Sequence, residues 1–293
     1  MCKNQRTRAL FYLALTAVLW SLGGLLIKSV NAHPLAIAGT RSAIAAVVIL
    51  LYIRKPRFTW SFAQIAAAIA YAGTVILFVA ANKFTTAANA ILIQYTAPIY
   101  VALFSAWLLK EKVKAVDWAA IAVVLGGMVL FFLDSLDTKG VLGNLFAALS
   151  GLTFGMFAIF MRMQKDASPI ESVILGNLIT ALIGIPFLFQ SLPDGQGWLC
   201  LGLLGIVQLG IPYILYSEAI KHATALEATL IPVIEPILNP VWVALLLGEV
   251  PGFRSLMGGV IVVVAVTLRC VVVSIQTQKQ EQRAEVRESM NPS

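Results

Sequence analysis

The chain has 293 residues, of which 59% are hydrophobic and only 12% charged, and its mean hydropathy is +0.88. Such a composition excludes a soluble globular protein and leaves an integral membrane protein. The net charge of +7 then bears on topology and on anionic lipid, not on nucleic acid.

The apolar runs are continuous rather than alternating, which predicts helices and not barrel strands. Each is of order 20 residues, enough at about 1.5 Å per residue to cross a hydrocarbon core of about 30 Å. Ten spans are expected, at 9–30, 35–53, 61–81, 88–109, 115–133, 141–162, 170–190, 197–219, 226–247 and 254–275. What is left makes short loops and two tails, too little for a soluble catalytic or nucleic-acid-binding domain.

Met1 to Arg8 reads as a short basic tail, followed by a first span too long for a signal-peptide core and therefore expected to be retained. Within that span Trp20 sits near mid-depth beside Ser21, Gly23 and Gly24, either a cavity wall or a close helix contact. Trp60, Trp118 and Trp198 fall at span ends, where an aromatic belt accounts for them, and Lys28 is placed to snorkel. Arg41 lies about two turns into the second span and needs an ion pair, a carbonyl or water, with a substrate role the lesser alternative. The third span sets Tyr71, Thr74, Phe78 and Asn82 on one helical stripe. In the fourth, Pro98 removes the helical partner of the Gln94 carbonyl, so Gln94, Tyr95 and Thr96 can turn polar groups toward a ligand.

Gly126 and Gly127 in the fifth span, and Gly258 and Gly259 in the tenth, mark those spans as packing or dimer-contact helices. Residues 134–140 form a polar linker. The sixth span carries Asn144, Thr153, Phe154 and Phe157, and the seventh a lone Asn177, expected to bond between helices. Gln208, Gly210 and Pro212 precede Tyr213 and Tyr216 in the eighth, and Glu218, Lys221, His222 and Glu227 read as a solvated charge cluster. The ninth span holds Glu235 about ten residues from either end, among Pro232, Pro236 and Pro240. A bare carboxylate at that depth costs several kcal/mol, so it is neutralised, paired with Arg41 or a substrate ammonium, or bonded to backbone freed by Pro236. Pro98, Pro232 and Pro236 are the candidate helix breaks. From Gln276 the chain is polar and reads as a mobile tail.

The ninth span repeats the fourth. At an offset of 138 residues Lys83 falls on Lys221, Thr86 on Thr224, Leu92 on Leu230, Pro98 on Pro236 and Glu111 on Glu249. A weaker match at an offset of 132 sets Gly23 on Gly155. The two halves are therefore 1–133 and 141–275, with residues 276–293 as the tail. With the N-terminus inside, sixteen Lys and Arg fall on the inner side and only Lys28, Lys83, Lys139 and Arg254 on the outer, which puts both termini in the cytoplasm. Five spans per half is an odd number, so the second half is inverted relative to the first. Inverted repeats with interrupted helices are a recurrent design of secondary transporters.

The stretches LWSLGGLLIK, PLAIAGTRSAIAA, AANAILIQYTAPIYVALFSAWLLKEK and LIPVIEPILNPVWVALLLGE together resemble the drug/metabolite transporter superfamily, in its ten-helix EamA-type branch. The resemblance covers nearly the whole chain. It implies ten helices as two inverted five-helix repeats around a central cavity lined by the first, third, fourth, sixth, eighth and ninth, with the fifth and tenth peripheral. Ser21 departs from the usual Gly and narrows that wall, and Glu-Pro in the ninth helix is common in the family, so Glu235 does not by itself encode substrate choice. Within the family the chain is most similar to the YddG-type exporters of aromatic and other amino acids.

The cavity candidates are Trp20, Tyr71, Phe78, Asn82, Gln94, Tyr95, Pro98, Phe154, Phe157, Tyr213, Tyr216 and Glu235. The function expected is export of amino acids and similar small metabolites across a bacterial inner membrane by alternating access, by a monomer or weak homodimer. The rivals are a multidrug or nucleoside exporter and, from another class, a membrane-bound receptor or enzyme. Cys2, Cys200 and Cys270 show no metal or disulfide spacing, and His33 and His222 no catalytic pattern, so neither cofactor nor catalysis is expected.

Overall fold

The structure is a computed structural model that describes residues 2–133, 140–190, 192–238 and 252–289, and among these the regular elements are all helical. Among the described residues nine helices are long and apolar enough to cross a membrane: α1 (Gln5–Ser29), α2 (Pro34–Ile53), α3 (Phe62–Phe84), α4 (Ala87–Leu108), α5 (Ala115–Phe132), α6 (Val141–Met163), α7 (Ile170–Leu188), α8 (Gly195–Ala219) and α10, whose span is Leu256–Val273. The ninth predicted span begins as α9 (Ala225–Leu230), tightens into a 3₁₀ turn over Ile231–Ile234 and is described to residue 238. Its remainder, with Pro240 and Glu249, and residues 134–139 of the linker lie outside the described residues.

Starts are set by polar caps at the predicted span edges. Ser61, Thr86, Asp194 and Thr224 each accept a bond from a backbone N–H three residues on, satisfying a donor the helix cannot use itself. Breaks fall where proline or glycine removes the ladder. α1 turns at Ser21 and Leu22, α4 turns at Tyr95 and Thr96 ahead of Pro98, and α8 widens into a π-helical stretch over Leu204–Gly210 ahead of Pro212.

The packing scheme is symmetric under exchange of the two halves. α3 packs on α6 as α8 does on α1, and α4 on α6 as the 3₁₀ turn after α9 does on α1. α3 meets α7 as α8 meets α2, while α2 with α7 and α5 with α10 are self-matched pairs. The architecture is two inverted five-helix repeats around a central cavity.

In lipid, where apolar surface gives little drive to helix association, close approach through small residues holds such pairs. A Cβ on Gly184 would sit 2.1 Å from the Leu35 carbonyl oxygen, and one on Gly39 would sit 2.6 Å from the Gly184 Cα. Gly184→Ala should therefore lower the melting temperature in detergent by several degrees. The gain in helix propensity, about 1 kcal/mol, is outweighed by backbone overlap that no rotamer relieves. An unchanged melting temperature would show that α2 and α7 are not so tightly apposed.

Of the two roles expected for the glycines of the fifth and tenth spans, packing is the one that Gly127 and Gly258 take: a Cβ on Gly258 would lie 2.5 Å from the Gly127 carbonyl oxygen, and one on Gly127 would lie 2.9 Å from Val262 Cγ2, whereas Gly126 has nothing within 4 Å. Other expectations are corrected. The N-terminal residues are not a separate tail, because helix runs from Cys2 into α1. At the other end helix continues from Phe253 to Ser289, since Gln, Glu, Lys, Arg and Ala are strong helix formers however polar the stretch.

Glu227 is not solvated either. Its side chain is 1% exposed and accepts from Arg6 at 2.7 Å and from Arg269 at 3.0 Å, while Arg269 also pairs with Asp117 at 3.0 Å. Only Glu218 and Lys221 of the predicted cluster form a partly exposed pair. A sequence reading places Glu227 at a span edge; folding brings Arg6 of α1 and Arg269 of α10 over it.

Candidate functional site

The breaks in α1, α4, α8 and α9 meet at the centre of the bundle around one small cavity. α1 contributes Trp20, α2 Arg41, α3 Thr74, Val75 and Phe78, α4 Gln94 and Tyr95, α6 Phe154, α8 Gln208, Leu209 and Tyr213, and Glu235 follows the 3₁₀ turn after α9. The free space is about 40 Å³. At roughly 10–15 Å³ for each water, this holds a few waters and no metabolite, so the walls must part to admit one.

One wall is aromatic. Trp20 stands at 5.2 Å from Tyr213 and 5.8 Å from Phe154, centroid to centroid, in the tilted and edge-on geometries that ring quadrupoles favour. Behind this layer Tyr71 meets Tyr213 at 4.7 Å, and Phe157 stacks on Tyr216 at 5.7 Å. Tyr71 is further held by its hydroxyl, which donates to Asn177 at 3.0 Å, so the lone polar residue of the seventh span is an interhelix partner as expected.

The opposite wall is polar and anchored across helices. Gln94 donates to Ser150 at 2.7 Å, and Ser150 in turn to the Thr74 carbonyl at 3.1 Å. The Gln94 carbonyl, which loses its ladder partner to Pro98, faces Gly151 of α6, where a Cβ would come within 2.7 Å. Glu235 is 7% exposed and is bonded to the Tyr95 hydroxyl. The same hydroxyl lies 2.8 Å from the Pro232 carbonyl oxygen, the acceptor that Pro236 deprives of its helical donor. The freed backbone is thus taken by Tyr95 and not by Glu235 directly, which corrects the direct bond expected from sequence.

Arg41 lies in the same cavity, 1% exposed. It donates through Nη1 to Gln208 Oε1 at 3.1 Å and through Nη2 to the Val75 carbonyl at 3.4 Å. α2 is fixed on both sides, by Gly184 of α7 against Leu35 and by Gly205 of α8, where a Cβ would lie 2.5 Å from Ile44 Cβ and 2.9 Å from the Arg41 carbonyl oxygen. Gln208 reaches inward because Gly23 leaves room for it: a Cβ there would fall 2.8 Å from the Gln208 amide nitrogen.

Of the candidates named from sequence, Trp20, Phe78, Gln94, Tyr95, Phe154, Tyr213 and Glu235 line the cavity. Tyr71, Phe157 and Tyr216 support the aromatic wall from behind, and Pro98 shapes the α4 break without facing the space. Asn82 turns back on its own helix, donating to the Phe78 carbonyl at 2.9 Å. Ser21 does not narrow the wall; its hydroxyl donates to the Val18 carbonyl at 2.6 Å. Val75, Leu209 and Gln208 were not anticipated in the lining. Gln208 had a readable signal, since Pro212 leaves the Gln208 carbonyl without a ladder partner between two glycines.

A polytopic helical bundle of inverted repeats, with its broken helices converging on a polar and aromatic chamber, is the fold of a secondary transporter. The EamA-like transporter family model matches residues 7–133 and again 141–269, and the chain belongs to that family. An uncharacterized transporter of Archaeoglobus fulgidus is 26% identical over 67% of this chain and 71% of its own length. The pseudopaline exporter CntI of Pseudomonas aeruginosa is 27% identical over 61% of this chain, a match that covers 64% of that exporter. A protein of known crystal structure superposes with a TM-score of 0.78 at 21% identity, covering 93% of this chain and 99% of the other, which shows the shared fold.

Proposed function

We propose that this multi-pass membrane protein exports neutral amino acids, aromatic ones among them, and similar small metabolites from the cytoplasm by alternating access, with both termini cytoplasmic. The observation that carries the reading is a single enclosed space bearing a guanidinium, a carboxylate and a wall of rings. A zwitterion with an apolar side chain complements all three. Trp20, Phe78, Phe154 and Tyr213 would take the side chain, and Glu235 the ammonium or a coupled proton. Symmetry supports the cycle: the broken α4 packs on α6 as the 3₁₀ turn after α9 packs on α1, the corresponding helix of the other half, so one repeat can rock against the other about the cavity.

The test is flux. Proteoliposomes containing the purified chain should take up labelled phenylalanine, chemically unchanged, at several times the rate of empty vesicles, and an imposed pH gradient should alter that rate. Failure of every amino acid in a panel would reject the reading. The likeness to a pseudopaline exporter favours a second reading, export of a larger metabolite; transport of such a compound with none of phenylalanine would select it.

A further inference from the structure

We infer that Arg41, with the indole N–H of Trp20, forms the docking site for the carboxylate of the transported molecule. The inference deepens the export reading and rests on it.

Arg41 is a permanent cation with five N–H donors. Two of its nitrogens are bonded, both to neutral acceptors, the Gln208 amide and the Val75 carbonyl, and its Nε–H has no partner. No carboxylate among the described residues lies within 4.0 Å of it. Glu235, the acidic group of the cavity, is bonded to Tyr95 instead. Trp20, which lines the same cavity, adds a second buried donor without an acceptor, its Nε1–H.

A buried positive charge without a counterion is costly, and unpaired donors add to that cost. A purely structural arginine would be matched by a carboxylate, as Arg269 is in this same chain by Asp117 and Glu227. At Arg41 the place of the counterion is held by Gln208, which orients the guanidinium while leaving its charge undiminished. An arriving carboxylate would meet a preorganised cation and two unsatisfied N–H groups, with no internal anion to displace. Substrates are then selected for a free carboxylate whatever their side chain.

Wild-type proteoliposomes should transport phenylalanine at least about tenfold better than phenylalaninamide or phenethylamine, the scale set by loss of one charge-assisted hydrogen bond. Gln208→Glu, close to isosteric, should pair with Arg41 internally and raise the KM for phenylalanine about 10- to 100-fold while keeping or raising the melting temperature. Arg41→Lys should retain partial flux and Arg41→Gln should lose it. Equal transport of the acid, the amide and the amine would overturn the carboxylate site and leave the export reading standing. So would a Gln208→Glu protein with unaltered KM. If no amino acid of the panel moves in wild type, the amino-acid export reading fails and the carboxylate site falls with it.

Discussion

Glu235→Gln should retain the fold yet transport amino acid at about a tenth of the wild-type rate or less, with a flat pH profile where wild type has a sloping one. The reason is a count of protons. The Tyr95 hydroxyl owns a single hydrogen and faces two acceptors, Glu235 and the Pro232 carbonyl. With Glu235 protonated, its O–H donates to Tyr95 and Tyr95 donates to Pro232, so every group is satisfied. With Glu235 ionised, the tyrosine proton turns to the carboxylate and the Pro232 carbonyl loses its donor at the 3₁₀ turn after α9. Charge state and helix geometry are thereby tied at one hydroxyl. A glutamine amide donates to Tyr95 permanently and imitates only the protonated state.

The other ionisable groups of the chamber are Arg41, Tyr95 and Tyr213, whose ordinary values lie at about 10 or above. Flux against external pH from about 5.5 to 8.5, in wild type and variant reconstituted alike, is the measurement. A variant that matched wild type in both rate and slope would remove Glu235 from the transport cycle.

The largest loss of stability is expected for Glu227→Ala. Its carboxylate completes the capping box with Thr224 at the start of α9 and accepts from Arg6 of α1 and Arg269 of α10. Arg269 continues to Asp117, which caps α5 by accepting from the Lys114 N–H at 2.8 Å. One residue therefore joins three helices and, through Arg269, a fourth. Removing it leaves Arg269 buried with half its neutralisation, a change of about 3–5 kcal/mol, larger than the roughly 1 kcal/mol of a lost cap. Glu227→Gln keeps the size and an acceptor for the cap but not the charge, and should fall between. Thermal unfolding in detergent should rank them wild type, Gln, Ala. Coincident curves would mean that the network adds nothing to stability.

The membrane class, nine of the ten spans to within a few residues and the seven cavity residues from Trp20 to Glu235 were legible in the sequence, because each depends on local chemistry. A run of apolar side chains must span lipid, a proline must break a helix, and a carboxylate amid such a run must meet a partner. Where side chains met across helices, the sequence was silent. Arg41 reads as needing an ion pair, a carbonyl or water, and it has the Val75 carbonyl, but only the fold shows Gln208 as its second partner; Asn82 and Tyr216 share a helical stripe or a repeat position with lining residues yet do not face the space.

What the sequence alone determined was the number and nature of the crossings and the duplication that turns one half over, since hydropathy and repeat offset are properties of the chain as a line. The tertiary structure decided which polar groups are left without partners. A hydrogen bond is satisfied in three dimensions by residues 167 positions apart, as Arg41 and Gln208 are, or 221 apart, as Arg6 and Glu227 are, and no periodicity along the chain encodes such distances.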